Sequence, residues 1–159
     1  PKTIQPLKKK KIPLLIKSFL DPKGKGSQIT DCVKNLPETT SFIVKHKQIL
    51  ISISDRSLAF IVEDHMSKIF KLLVKHGISV NMMQNSAVSF SLCIDYDKYT
   101  IPGLISDLQL DFKVFYNKNL SLYTIRNYTK VTANKFMKEK NILLEQRSRN
   151  TLQLVVAEN

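Results

Sequence analysis

The side chains here that carry reactive or ligating chemistry are few and dispersed. The two cysteines, Cys32 and Cys93, stand far apart, and neither has a second Cys or a His at metal-ligand spacing. Cys93 alternates with apolar positions, the pattern of a small buried hydrophobe. Unpaired thiols point to a reduced, cytoplasmic setting. Lysine is plentiful, and of the net charge of +12, residues 1–26 hold +7, from Lys2, Lys8, Lys9, Lys10, Lys11, Lys17, Lys23 and Lys25 against Asp21 alone. The lysine run has no interleaved aromatics to stack on bases, so it reads as a solvated face and no nucleic-acid partner is expected. No glycine-rich phosphate loop and no catalytic lysine–aspartate set is present. The remaining polar groups gather at Ser79, Asn81 and Gln84-Asn85-Ser86, and the last three read first as a turn.

One supersecondary unit positions these groups. An amphipathic run ends at His76, where Gly77 suits a left-handed close. Ile78, Val80 and Met82 alternate with Ser79 and Asn81, which puts the apolar set on one face of a strand. Val88, Phe90, Leu92 and Ile94 alternate with Ser89, Ser91 and Cys93 as a second strand. The unit is helix, strand, hairpin, strand. It returns once, 62 residues on, where Gln84 falls on Gln146, Ser86 on Ser148, Ser89 on Thr151, Phe90 on Leu152, Leu92 on Leu154, Val80 on Ile142 and Met82 on Leu144. Two related modules follow, not a solenoid, which needs more repeats for stability.

The 159 residues, 43% hydrophobic, can form one domain or two small ones. No apolar run approaches the ~18 residues of a membrane span, so no membrane partner is expected. The first residue is Pro1, which reads as a fragment of something longer. Residues 3–11 suit a short helix with Thr3 as cap and Pro6 in its first turn. Ile12 to Phe19 reads as a buried strand, 21–26 as a loop, Gln28 to Cys32 as a strand and Asn35 to Thr40 as a linker. Ser41 to Lys45 is β-prone, His46-Lys47 interrupts it, and Ile49, Ile51 and Ile53 mark a strand to Asp55. Met66, Ile69, Phe70 and Leu73 have helical spacing within Asp64 to His76. Thr100 can cap a second helix with Pro102 in its first turn, and Phe112, Val114 and Tyr116 form a closing strand. That order predicts a four-stranded antiparallel sheet with both helices on one face. The second copy runs from a strand at Leu120 through a helix at 129–138 to strands at 141–146 and 151–156. It lacks a last helix and strand, and Ser41 to Lys45 is the candidate to fill its open edge.

At Ile78 to Ile94 and Leu143-Leu144-Glu145-Gln146-Arg147-Ser148-Arg149-Asn150-Thr151, the sequence resembles the C-terminal part of aspartate kinases. Its βαββαβ unit resembles an ACT domain. Pro1-Lys2-Thr3-Ile4-Gln5-Pro6 with Ile12-Pro13-Leu14 resembles the close of the amino-acid-kinase domain that precedes the ACT pair. The resemblance implies an α+β fold of two ferredoxin-like ACT domains, the first inserted into the second. It divides the chain into a kinase-domain remnant and linker (1–36), a first ACT domain (47–118), and a second from 41–46 plus 119–159. It implies allosteric control: an end-product amino acid, lysine with threonine as the alternative, bound at an ACT–ACT interface of a homodimer, inhibiting phosphorylation of L-aspartate by ATP. ATP and Mg belong to the parent kinase; no cofactor, metal or catalytic residue is expected in this piece. The effector positions carried over are Asp64, His65, Met66, Ser79, Val80, Asn81, Asn85 and Ser86, with Gln84 added from the same hairpin turn. The free N–H groups at the start of the Asp64 helix would take the effector's carboxylate. The carbonyls of Ser79-Val80-Asn81 and the Asn81 amide would take ammonium groups.

Each of these residues also has a plainer reading. Met82 and Met83 fit packing, Gln84-Asn85-Ser86 fits a turn, and His65 fits a solvated first-turn residue. A ligand-free dimerisation module and a basic nucleic-acid-binding domain are the competing functions.

Overall fold

The computed structural model describes residues 4–29, 39–57 and 60–158, in two units, Pro1–Glu38 and Thr39–Asn159. In the first, α1 (Gln5–Lys9) carries Pro6 in its opening turn. Strands β1 (Leu14–Ile16) and β2 (Ser27–Ile29) pair antiparallel, Leu14 with Ile29 and Ile16 with Ser27. The buried strand expected over Ile12 to Phe19 is thus shorter and more open: Leu15 is 60% exposed and Phe19 97%. A three-residue, two-stranded ribbon is too small to cover its own side chains. Gly26 opens β2 at φ +63, where a Cβ would stand 2.5 Å from the Ile16 carbonyl, so only glycine fits. Thr3, Cys32 and residues 35–38 of the expected linker lie outside the described residues.

The second unit contains β3 (Ser41–Asp55), α2 (Glu63–Lys75), β4 (Val80–Asn85), β5 (Phe90–Asp95), α3 (Ile101–Asp111), β6 (Phe112–Arg126), α4 (Lys130–Met137), β7 (Ile142–Arg147) and β8 (Thr151–Ala157). These strands form one antiparallel sheet of six, ordered β4-β5-β3-β6-β8-β7. Two sequence expectations change. His46-Lys47 does not end a strand, and the strands expected at 112–116 and from Leu120 are one. Both β3 and β6 run 15 residues. Their ladder shifts register between Lys45 and Gln48 and again between Gln48 and Leu50. Lys47 and Asn119 take left-handed backbone (φ 54 and 57) at this bend, which lets the strands turn without breaking the ladder. Before the bend Ser41 to Lys45 pair with Leu122 to Arg126; after it Ile51 to Asp55 pair with Phe112 to Tyr116.

Side chains sort onto the sheet faces accordingly. Ile49, Ile51, Ile53, Phe90, Leu92 and Ile94 pack beneath Ile69 and Leu73 of α2 and Leu104, Ile105 and Leu108 of α3, so both helices cover one face. Ala133, Phe136 and Met137 of α4 cover Ile125, Leu152, Leu154 and Val156. A third cluster joins Leu50, Met82 and Cys93 to Leu120, Leu122 and Val155 with no helix among them. Its burial requires the two halves of the sheet to close on each other on the helix-free side.

The 62-residue repeat is geometric as well as sequential. Ser86 N–H donates to the Ser89 carbonyl at 2.8 Å, and Ser148 N–H to the Thr151 carbonyl at 2.8 Å. The ladders β4–β5 and β7–β8 slip at the same place, between Val80 and Met82 and between Ile142 and Leu144. This bulge overturns the expectation that Val80 and Met82 share a face. Val80 packs with the helix-covered core and Met82 with the helix-free cluster. An extra residue in the strand reverses the alternation beyond it.

Candidate functional site

The bulged residue of β4 is Asn81, and the bulge aims its side chain at the bend of β3. Asn81 Nδ2 donates to Gln48 Oε1 at 2.8 Å and to Asp95 Oδ1 at 2.9 Å. Asn81 Oδ1 accepts from Lys45 Nζ at 2.8 Å. Gln48 is 0% exposed; its amide nitrogen donates to Asp95 Oδ1 at 2.7 Å and to the His46 carbonyl at 3.0 Å. The Gln48 amide foremost, with Asn81 and Lys45, holds the Asp95 carboxyl below its usual range. Behind it Cys93 points its thiol at Gln48 Oε1, and burial with the nearby Asp95 charge pushes that thiol up to about 12. Four polar side chains from β3, β4 and β5 thus form one hydrogen-bonded group.

The nine positions of interest do not converge on one point. Asp64, exposed, is the second residue of α2, and Ile61 N–H bonds the Ala87 carbonyl at 2.9 Å, which sets this helix start beside the β4–β5 turn. Gln84, Asn85 and Ser86 are exposed at that same end. Ser86 Oγ is engaged in the turn, 3.1 Å from the Ser89 carbonyl and 2.8 Å from Ser89 Oγ. Asn81, with Ser79 and Val80, lies at the other end of β4, about 13 Å away at the usual rise of a strand. His65 caps its own helix: Nδ1 accepts from Val62 N–H at 3.4 Å, Nε2 lies 3.8 Å from Asp55 Oδ2, and the ring stands edge-on to Phe112. Met66 and Val80 pack against the helix-covered core. Met82 is buried, as its packing role requires, and Met83 is 48% exposed.

Sequence reasoning missed Lys45, Gln48 and Asp95. A signal existed for Gln48: it shares the strand phase of Leu50, and a polar residue buried in a strand needs partners. Those partners lie 33 and 47 residues away in the chain, beyond any local pattern.

A second polar cluster joins His46, Ser121 and Glu158. It has the residue types of a catalytic triad but not the geometry. Ser121 Oγ and Glu158 Oε1 both lie 2.9 Å from the same His46 nitrogen, Nδ1, and Ser121 donates to Glu158. A proton relay needs the two partners on different ring nitrogens. Among the described residues no group of three or more His, Cys, Asp or Glu could hold a metal ion, and no helix is long and apolar enough to cross a membrane.

No family model matches the chain. It is 25% identical over 103 residues to the lysine-sensitive aspartokinase 3 of Escherichia coli (strain K12), which covers 65% of this chain and 23% of that protein. It is 30% identical over 117 residues to the chloroplastic aspartokinase 1 of Arabidopsis thaliana, 72% of this chain and 20% of that one. The chain therefore spans about a fifth of the length of the curated relatives it matches. Its fold matches E. coli aspartokinase III in complex with lysine and aspartate (TM-score 0.78, 20% identity), over 99% of this chain and 38% of that one. It also matches a C-terminal regulatory domain of aspartate kinase from Porphyromonas gingivalis W83 (TM-score 0.59, 19% identity), over 75% of this chain and 86% of that one.

Proposed function

Because this chain corresponds to the C-terminal regulatory part of aspartate kinases, we propose that it binds an end-product amino acid at an ACT–ACT interface and thereby inhibits phosphorylation of L-aspartate by its parent kinase. Lysine is the first candidate and threonine the second. ATP and Mg would serve the parent's catalytic domain, and the cytoplasm would be its compartment. The domain division is part of the proposal: a first ACT domain over 47–118, inserted into a second built from 41–46 plus 119–159. The strand orders β4-β5-β3-β6 and β3-β6-β8-β7, which share their two long strands, support it.

The observation that carries the reading is the outer edge of β4. This strand ends the six-stranded sheet, so among the described residues its outer N–H and C=O groups have no strand partner. Along it lie Ser79 to Ser86, with the Gln84-Asn85-Ser86 end beside the first turn of α2. An unpaired edge favours pairing with a second copy across a two-fold axis. At such an interface the α2 N-terminus suits a carboxylate, and strand carbonyls suit an ammonium group. The relative's name and the lysine in the structural neighbour favour lysine.

The test is isothermal calorimetry on the full-length kinase with lysine, threonine and methionine, followed by inhibition assays on Asn81→Ala and Ser86→Ala. Loss of inhibition with catalysis intact supports the site. Unchanged inhibition by both lysine and threonine sinks it. One observation favours the runner-up, a dimerisation module without a ligand: the Asn81 amide and the Ser86 hydroxyl are already hydrogen-bonded within the chain. That reading expects a dimer and no heat from any of the three amino acids.

A further inference from the structure

We propose that Lys45 is a specificity-determining residue of the effector site, an internal cation that occupies the acceptors a cationic effector side chain would need. The inference rests on the amino-acid-effector reading above. Lys45 Nζ stands 2.8 Å from Asn81 Oδ1 and 3.6 Å from Asp95 Oδ2. The Asn81 amide is engaged at its other atom too, because Nδ2 donates to Gln48 and Asp95. Asp95 in turn accepts from Gln48 and Asn81 and forms an ion pair with Lys45. The group is electroneutral, one cation against one carboxylate, and it offers an arriving ammonium no unmatched negative charge. Asp64 is no substitute, since it sits at the far end of β4. A second ammonium on Asn81 Oδ1 would come within about 5 Å of Lys45 Nζ, where like charges repel.

The effect is a bias and not a block. The Lys45 and Asp95 side chains are 49% and 66% exposed, and an ion pair so open to water is weak. A lysine effector can displace Lys45 at a loss of roughly two- to fivefold in affinity, the range such exposed pairs support. A neutral side chain such as threonine's does not compete for these acceptors and is indifferent to Lys45.

The test compares wild type, Lys45→Met and Lys45→Arg in the full-length kinase, titrating lysine and threonine by calorimetry, with thermal melts to verify folding. The expected result is lysine binding roughly two- to fivefold tighter in Lys45→Met, with the gain largest at low ionic strength. Lys45→Arg, which keeps the cation, should show no gain, and threonine affinity should not move. Equal lysine affinity in wild type and Lys45→Met overturns the inference and leaves the effector reading standing. Lysine binding that appears only in Lys45→Met supports the inference and removes lysine as the natural effector. Threonine binding to both proteins with lysine binding to neither overturns the inference and the lysine reading together, while the site survives. No heat from any amino acid with either protein overturns both readings.

Discussion

At the scale of single residues, the Asn81 group is where local chemistry and fold stability meet. Asn81→Ala removes an acceptor from Lys45 and a donor from the buried Gln48 carbonyl, leaving polar groups with unmet hydrogen bonds. Urea unfolding should show a loss of about 1–3 kcal/mol; a loss near zero would mean that the group adds nothing net. Asp95 makes the group sensitive to acid. Its carboxyl is depressed in the folded state by Gln48, Asn81 and Lys45, so its contribution is complete above the ordinary carboxylate value, about 3.9, and fades as pH falls through the lower folded value. Asp95→Asn should therefore flatten the acid limb of a stability–pH curve below about pH 4 and change its neutral region by a roughly constant amount. Cys93 should resist alkylation at pH 8 in the native protein and react on unfolding, because a buried thiol with its value near 12 holds almost no thiolate.

At the scale of elements, the two bulges matter more than any single strand. The bulge in β4 separates Val80 from Met82 and re-aims Asn81; its counterpart in β7 does the same to Ile142 and Leu144. The two hairpins are one device used twice, once with a polar residue at the bulge and once with Leu143. The polar version borders the edge proposed to pair with a second copy. Met83, exposed on β4, is the natural place to test that pairing. A charge on an edge strand opposes strand addition, so Met83→Lys should shift sedimentation from dimer toward monomer with circular dichroism unchanged. A wild-type monomer at high concentration would leave the edge without a partner and count against the interface. Helix ends follow simpler rules. Thr129 Oγ1 accepts from Thr132 N–H and caps α4, as its position suggests. Thr100 does not cap α3 with its side chain; Asp97 Oδ1 accepts from the amides of Tyr99 and Thr100 instead.

At the scale of the whole second unit, β3 and β6 cross both halves of the sheet, and the helix-free cluster ties those halves together. Leu50 and Leu120 lie in that cluster at 5% and 1% exposure. Leu120→Ala should cost about 2–5 kcal/mol, as truncating a buried leucine does. Because the strand is shared, amide protection should fall together over both hairpins, Val80–Asp95 and Ile142–Ala157. Loss confined to β7 and β8 would show that the halves open independently.

Hydrophobic period is a local property, and most of the elements follow from it. The helix of residues 63–75, the strands around Phe90 and Leu152, the repeat of 62 and the covering of one face by two helices all read from side chains a few positions apart. The likeness of Leu143 to Thr151 and of Ile78 to Ile94 to aspartate-kinase sequences likewise needed no coordinates. What the sequence could not express is how strands continue and turn. A β-bulge adds one residue without altering composition, so the faces of Met82 and Asn81 could not be read from alternation. His46-Lys47 looked like a break because a charged pair interrupts an apolar run; the tertiary structure decided for continuity, since a positive φ at Lys47 lets the ladder to β6 resume. The Lys45–Gln48–Asn81–Asp95 group was invisible for the same reason. Its members stand up to 50 residues apart in the chain, and only the closing of β3, β4 and β5 into one sheet brings their polar atoms within hydrogen-bond reach.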